Sequence, residues 1–247
     1  MNPFPQEKIT KIRRQIDQAL NAGVDPIAAF DADGTLWDTD IGEHFFQFQI
    51  AKNLLPDLPP NAWEHYRQWY VSETPGALVW LAQIMTGVPL ATVRDWARQA
   101  ISTLQPLPFF PFMKDLVTYL KSRNVTVYCV TASVRWAVEP AAEAIGIPAE
   151  NVIGIRTQIL DGKITDKHEG PLTWREGKVT GLLEKTGRKL PFLAAGNTMG
   201  DLPLLDSALR IRIANLGAPP GHFNRESEEA LLAVARKRGW FLHSYRP

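Results

Sequence analysis

The chain has 247 residues, 45% of them apolar, and a formal charge of +1, enough to bury one sizeable core with room for a smaller inserted unit. Near-balanced charge gives no electrostatic reason to expect nucleic acid or an anionic membrane surface as partner, so a small soluble ligand is the default. Cys129 is the single cysteine; it excludes an internal disulfide, and its place inside an apolar run reads as a buried structural thiol in a reducing cytoplasm.

Residues 1–23 carry Lys8, Lys11, Arg13 and Arg14 on a helical pattern, without the hydrophobic stretch of a signal peptide. No later run approaches a membrane span in length. Residues 26–30 are apolar, end at Asp31 and precede Gly34, the grammar of a buried strand stopping at a turn. From 41 to 107 the period becomes helical and rich in bulky aromatics (Phe45, Phe46, Trp63, Tyr66, Trp69, Tyr70, Trp80, Trp96), which marks an inserted helical unit. Two proline clusters, Pro56, Pro59 and Pro60 and then Pro106, Pro108 and Pro111, read as its junctions. Residues 125–130 form a β-branched, apolar run ending at Thr131. Residues 152–166 alternate around Asp161-Gly162, a dipeptide suited to a tight hairpin. Two further apolar runs, 191–195 and 209–214, end at Gly196-Asn197 and at Asn215. Residues 224–238 read as an amphipathic helix whose basic last turn complements the helix dipole, with Gly239 after it. Alternating strands and helices predict a mostly parallel sheet covered on both faces, with ligands bound beyond the carboxyl ends of the strands.

Asp31-Ala-Asp33-Gly-Thr35 carries the most information. A calcium loop of the EF-hand type is disfavoured because Gly34 comes too early and a strand precedes the acids; a plain polar turn stays open on this segment alone. Taken alone, Thr131 reads as a strand-end hydroxyl capping the next helix, a role open to Ser133 too, Lys178 reads as a solvated lysine, and Gly200-Asp201 as a plain turn.

In order and spacing these segments resemble the haloacid dehalogenase superfamily. The first motif, Asp-x-Asp-x-Thr, is matched by Asp31 to Thr35, the second by Thr131, the third by Lys178 and the fourth, in part, by Asn197 and Asp201 within residues 196–205. The resemblance implies an α/β fold: a Rossmann-like, mostly parallel sheet core over residues 1–40 and 108–247, with a helical cap domain inserted at 41–107. It implies a magnesium-dependent phosphomonoesterase in which Asp31 is nucleophile and metal ligand. Asp33 is then a ligand through its carbonyl and the acid and base through its side chain. Thr131 and Lys178 hold phosphate, and Asn197 and Asp201 complete the Mg2+ shell. That division of labour has a physical reason, since a phosphate ester repels a carboxylate nucleophile unless cations and donors neutralise it.

Placement of the insert between the first and second motifs resembles the branch of phosphoserine and phosphocholine phosphatases. Asp40 and Glu43 become specificity candidates, together with Trp37, whose ring face would favour an ammonium head; acids at a helix start also simply favour its dipole. An amide at Asn197 brings no charge, so the sequence predicts a weaker metal site than two acids would make, tightened by Asn197→Asp. A degenerate binding or regulatory module with little turnover is the alternative, against which the retained acid Asp33 argues.

Overall fold

The computed structural model describes residues 1–55 and 57–246; Pro56, one of the junction prolines, lies outside the described residues. After helix α1 (Gln6–Asn21), which buries Ile12, Ile16 and Ala19 along one stripe, strand β1 (Ile27–Phe30) enters the centre of the molecule. Helices α2 (Ile41–Ala51), α3 (Ala62–Ser72), α4 (Thr74–Gln83) and α5 (Leu90–Ser102) follow, then α6 (Pro111–Ser122), β2 (Thr126–Val134) and α7 (Arg135–Ala144). Strands β3 (Val152–Ile155), β4 (Thr157–Leu160) and β5 (Lys163–His168) precede α8 (Glu176–Lys185), β6 (Leu193–Gly196), α9 (Leu202–Ser207), β7 (Ile211–Leu216), α10 (Arg225–Arg238) and β8 (Phe241–Ser244).

Six strands form one parallel sheet in the order β3-β2-β1-β6-β7-β8. The two-residue alternation of β1 divides the interior: Ala28 and Phe30 join the core under α1, α6 and α7, while Ile27 and Ala29 join the one formed with Leu182, Leu204 and Leu231 of α8, α9 and α10. The expected doubly covered parallel sheet is therefore present. Both β1 and β6 end mid-sheet in register, Phe30 opposite Ala195, so Asp31 and Asn197 emerge side by side.

Three details depart from expectation. Strand β2 does not stop at Thr131 but runs to Val134 with a shift of register against β3 beyond Val130. Residues 152–155, read as one arm of the hairpin, instead pair with β2 in the main sheet, and the hairpin is β4 with β5. Its turn is the expected Asp161-Gly162, both with positive φ (49° and 76°), as a two-residue turn of that hand requires. The edge strand β8 follows the αL residue Gly239 so closely that its four residues carry no separate pattern.

The helices α2 to α5 pack their aromatics on one another: the Phe46 ring meets Tyr66 edge-on at 5.8 Å and Trp80 at 5.6 Å between centroids. Both ends of this segment are tied together, Asp38 N–H to Pro108 O at 2.8 Å and Phe110 N–H to Leu36 O at 3.0 Å. The hairpin braces its far side through Leu90 N–H to Gly162 O (2.9 Å), Gly87 N–H to Ile164 O (2.8 Å) and Ile164 N–H to Val88 O (3.0 Å). Among the described residues no helix is long and apolar enough to cross a membrane.

Candidate active site

Beyond Phe30 the chain turns sharply at Gly34, whose φ of 75° and lack of a Cβ allow the backbone to lie against Asn197. Asp31 is buried between two partners. Its Oδ1 accepts from Lys178 Nζ at 2.5 Å, and its Oδ2 lies 2.9 Å from the Thr35 hydroxyl, whose single proton is shared with Asn197 Oδ1 at 3.1 Å. Lys178 is 4% exposed and also donates to Asp201 Oδ1 at 2.5 Å, so it is no solvated lysine. Asp201 is held in turn by the N–H groups of Asn197 (3.1 Å) and Thr198 (2.9 Å), in a capping box at the start of a short helical turn. Strand ends from β1, β2 and β6 and the first turn of α8 thus meet at one point, as parallel sheets arrange.

The Asp33 carboxylate is fixed by three donors: Trp37 Nε1 at 2.7 Å and Ile41 N–H at 2.8 Å on Oδ1, and Ser133 Oγ at 2.7 Å on Oδ2. A hydroxyl can donate or accept, so Ser133 can follow a proton onto or off Oδ2. Thr131 lines the same cavity; its hydroxyl accepts from Ser133 N–H at 3.0 Å, and its carbonyl accepts from Thr173 Oγ1 at 2.6 Å. Neither hydroxyl caps α7, which starts from Val134 without a side-chain cap.

Three candidates sit differently from the sequence reading. Trp37 is fully buried with its indole N–H spent on Asp33 and its ring against Phe109, so it presents no face to a ligand; the apolar core claimed the ring. Asp40 caps α2 by accepting Glu43 N–H at 2.7 Å, while it also lines the cavity, so the structural and functional readings coexist. Glu43 lines it too but is already paired with Arg67 at 2.8 Å. In place of Trp37 the insert contributes Tyr66 and Tyr70. The cavity has a volume of about 110 Å3.

Electrostatically the site is short of positive charge. Burial, with Asp201 adding to it, pushes Asp31 up to about 7 against the pull of Lys178. Burial raises Asp33 despite its three donors, and burial followed by Asp33 and Glu43 raises Asp40 well above the carboxylate range. Burial pulls Lys178 down, but Asp201 and Asp31 together outweigh it and the ammonium is held charged.

Several contributors carry no assigned role in the sequence reading, where Asn215 marks only the end of an apolar run. Asn215 donates to Gly34 O at 2.7 Å and so pins the turn, and Glu228 accepts from Asn197 Nδ2 at 2.6 Å. A signal existed for Glu228: it shares the apolar stripe of α10 with Leu231, Leu232 and Ala235, where a charged residue calls for a partner. Ser133 stands in the segment of the second motif but reads from the sequence only as a cap for the next helix, and Arg67 has no signal that sequence spacing could supply.

An all-parallel α/β sheet with an oxygen-rich cavity at the carboxyl ends of its two central strands defines the class of this molecule. The chain belongs to the haloacid dehalogenase-like hydrolase family, whose model matches residues 28–206. A phosphoserine phosphatase from Halobacterium salinarum is 32% identical over 97 residues, covering 38% of this chain and 46% of that protein. The chain thus spans about half the length of that curated relative. Among solved structures, a Bordetella pertussis Tohama I protein of unknown function superposes with a TM-score of 0.72 at 22% identity, covering 87% of this chain and 96% of the other. A substrate-bound phosphoserine phosphatase superposes with a TM-score of 0.52 at 18% identity over 86% and 97% of the two chains, a likeness of fold.

Proposed function

We propose that this chain is a magnesium-dependent phosphomonoesterase acting on a small phosphorylated metabolite with an amino-bearing head, through an aspartyl-phosphate on Asp31. The observation that carries the reading is the buried contact of Asp31 with Lys178, 147 positions apart in the chain, at the mouth of one small polar cavity. Burying a carboxylate and an ammonium costs several kcal/mol of desolvation, roughly, and a fold that needed only stability would place apolar groups there.

Asp31 attacks phosphorus while the bond to the leaving oxygen breaks, and Asp33 gives that oxygen its proton, so the alcohol departs neutral. Water then attacks the same phosphorus, its proton returns to Asp33, and the bond to Asp31 breaks to release phosphate. Burial raises Asp33, the direction that favours the protonated acid, and Ser133 follows the proton between the two steps. Thr131 and Lys178 donate to the phosphoryl oxygens, where negative charge accumulates.

The oxygens present suit a hard divalent cation. Among the described residues no three His, Cys, Asp or Glu side chains converge into a cage; the set is mixed, with Asp31 and Asp201 carboxylates, the Asn197 amide oxygen and the Asp33 carbonyl, which is magnesium rather than zinc chemistry. Bound Mg2+ supplies the positive charge that the raised Asp31 lacks.

Helices α2 to α5, residues 41–107, act as the cap over this cavity, and Asp40, Tyr66 and Tyr70 meet the head group. With Glu43 already paired to Arg67, Asp40 is the carboxyl group left to accept from an amino head, whose positive charge would draw its raised titration back down. The match to a phosphoserine phosphatase supports an amino-bearing ester in particular. Assay of a panel of phosphomonoesters with and without Mg2+ tests the reading: metal-dependent turnover, lost by more than 100-fold in Asp31→Asn, is expected. Parent-level turnover by that variant overturns the nucleophile assignment, and equal rates on neutral-headed esters overturn the head group.

A further inference from the structure

The family motif places an acid where this chain has Asn197, and the structure shows where the missing charge went. Glu228, on the inner face of α10 and 1% exposed, accepts from Asn197 Nδ2 at 2.6 Å through one carboxylate oxygen, and from Gly217 N–H (3.0 Å) and Ala218 N–H (2.9 Å) through the other. Three donors consume the carboxylate and leave it no freedom to rotate. With Nδ2 committed to Glu228, the Asn197 oxygen points the opposite way, onto the Thr35 hydroxyl that also touches Asp31 Oδ2. The pair fits only because position 34 lacks a side chain: a Cβ there would lie 2.1 Å from Asn197 Nδ2.

We infer that Glu228 is a positioning residue for the cation site: it locks the Asn197 amide with its oxygen toward Asp31, so that Asn197 and Glu228 together replace the single aspartate of the family motif, one giving the ligand oxygen and the other the negative charge behind it. This rests on the reading of Asp31, Asp33, Asn197 and Asp201 as the cation's oxygen set.

The consequence reverses the expectation drawn from sequence. Asn197→Asp does not simply add a charged ligand; it sets a second carboxylate against Glu228 where an N–H···O bond of 2.6 Å stood, in a buried place where like charges repel strongly. Glu228→Gln is damaging for the complementary reason. The new amide keeps its oxygen for the N–H groups of Gly217 and Ala218 and presents its NH2 to Asn197, two donors face each other, and the Asn197 amide turns over, offering NH2 instead of oxygen to the cation. Combining the changes removes both conflicts, because the amide introduced at 228 donates to the carboxylate introduced at 197.

The test is a four-protein cycle of parent, Glu228→Gln, Asn197→Asp and the double variant. Magnesium binding is measured by titration calorimetry, and thermal unfolding is measured in a chelator. Expected are a loss of roughly 10–100-fold in Mg2+ affinity for Glu228→Gln, the size typical of removing a group that orients a ligand, no tightening for Asn197→Asp alone, and affinity at or above the parent's for the double variant. In chelator each single variant melts below the parent and the double variant recovers most of the loss. Two results overturn the inference: Glu228→Gln binding Mg2+ as tightly as the parent, or Asn197→Asp alone matching the double variant in both measurements. Absence of Mg2+ binding by the parent overturns the cation reading itself, whereas failure of the chelator melts to show rescue overturns the Asn197–Glu228 coupling specifically.

Discussion

In the proposed reaction Asp33 is the proton donor and acceptor, and its surroundings suit that role. Its carboxylate is immobilised by Trp37 and Ile41 on one oxygen and left on the other with Ser133, whose hydroxyl alone among the three donors can also accept. Ser133→Ala removes that adaptable partner while the other two keep Asp33 in place. The expected outcome is a fall in turnover of roughly 10-fold for esters with poor alkoxide leaving groups, and much less for an activated aryl phosphate that needs no proton; paired kcat measurements on the two substrate types check it, and equal losses on both contradict it. Gly42 packs against the same hydroxyl, since a Cβ there would lie 2.6 Å from Ser133 Oγ, so Gly42→Ala is expected to give the same leaving-group signature in weaker form. Asp31, Asp33, Thr131, Lys178, Asn197 and Asp201 were visible in the sequence because each stands at a motif position at or just beyond an apolar run or in the helix between two. Trp37 was misread because the distinction between a tryptophan facing a ligand and one facing the core lies in which side of the turn it leaves. Arg67 is hidden for a different reason, since a contact with Glu43 across 24 positions leaves no local pattern; Glu228 marks itself as a charge on the apolar stripe of α10, but its partner Asn197, 31 positions away, is not legible from that stripe.

Elements were legible to the extent that they own a period or a turn. The central strands, the helical run between β1 and β2, the Asp161-Gly162 hairpin and α10 with its αL Gly239 all carry such marks. Strand β8 does not: four residues held by pairing to β7, and closed at its outer end by Tyr245 N–H to Leu216 O and by Asn2 N–H to Tyr245 O, are a tertiary fact. The closure has a pH signature. His243 on β8 is buried against Phe4 and Tyr245, and its Nε2 must carry the proton because the Asn2 carbonyl 3.1 Å away can only accept. Burial lowers its affinity for a second proton below the usual 6.5, against the pull of the Asn2 carbonyl. The unfolded chain therefore takes up a proton that the folded one refuses once pH falls below about 6.5, and stability declines through that window down to the folded value. Burial lowers His168 and His222 in the same sense, so the slope is shared. Urea melts between pH 7.5 and 5 are expected to show a decline that is shallower in His243→Gln; an unaltered slope would mean that this imidazole takes its second proton equally well in the folded and the unfolded chain.

The insert and the sheet share one continuous apolar core, in which Phe46, Tyr66, Leu81 and Val93 are contiguous with Phe30, Leu116 and Val138. They are also joined by a buried ionic clamp: Glu139 of α7 receives two bonds from Arg94 of α5, at 2.8 and 3.1 Å, and one from Arg135 at 2.9 Å. Because Glu139 has only 5% of its side chain exposed while Arg94 has 39%, the acid is the member that cannot be stranded or removed without consequence; the arginine retains access to water. Glu139→Ala leaves two guanidiniums facing each other across a partly buried gap. A cost of about 3–5 kcal/mol applies to breaking a fully buried pair, and the exposure of Arg94 reduces the expected loss to roughly 1–3 kcal/mol. A cap that hinged freely on the sheet would respond by unfolding separately, giving two transitions. Shared apolar packing, the three backbone bonds to the β4–β5 hairpin and the tied ends at Asp38 and Pro108 predict otherwise: the parent and Glu139→Ala each unfold in a single urea transition, with the midpoint lowered and the slope unchanged. Coincident far-ultraviolet dichroism and tryptophan fluorescence curves check this, since four of the eight tryptophans, Trp63, Trp69, Trp80 and Trp96, lie in the insert and weight the fluorescence toward it relative to the dichroism. Fluorescence that melts ahead of dichroism in Glu139→Ala would show that the clamp, rather than the common core, makes the two parts one folding unit.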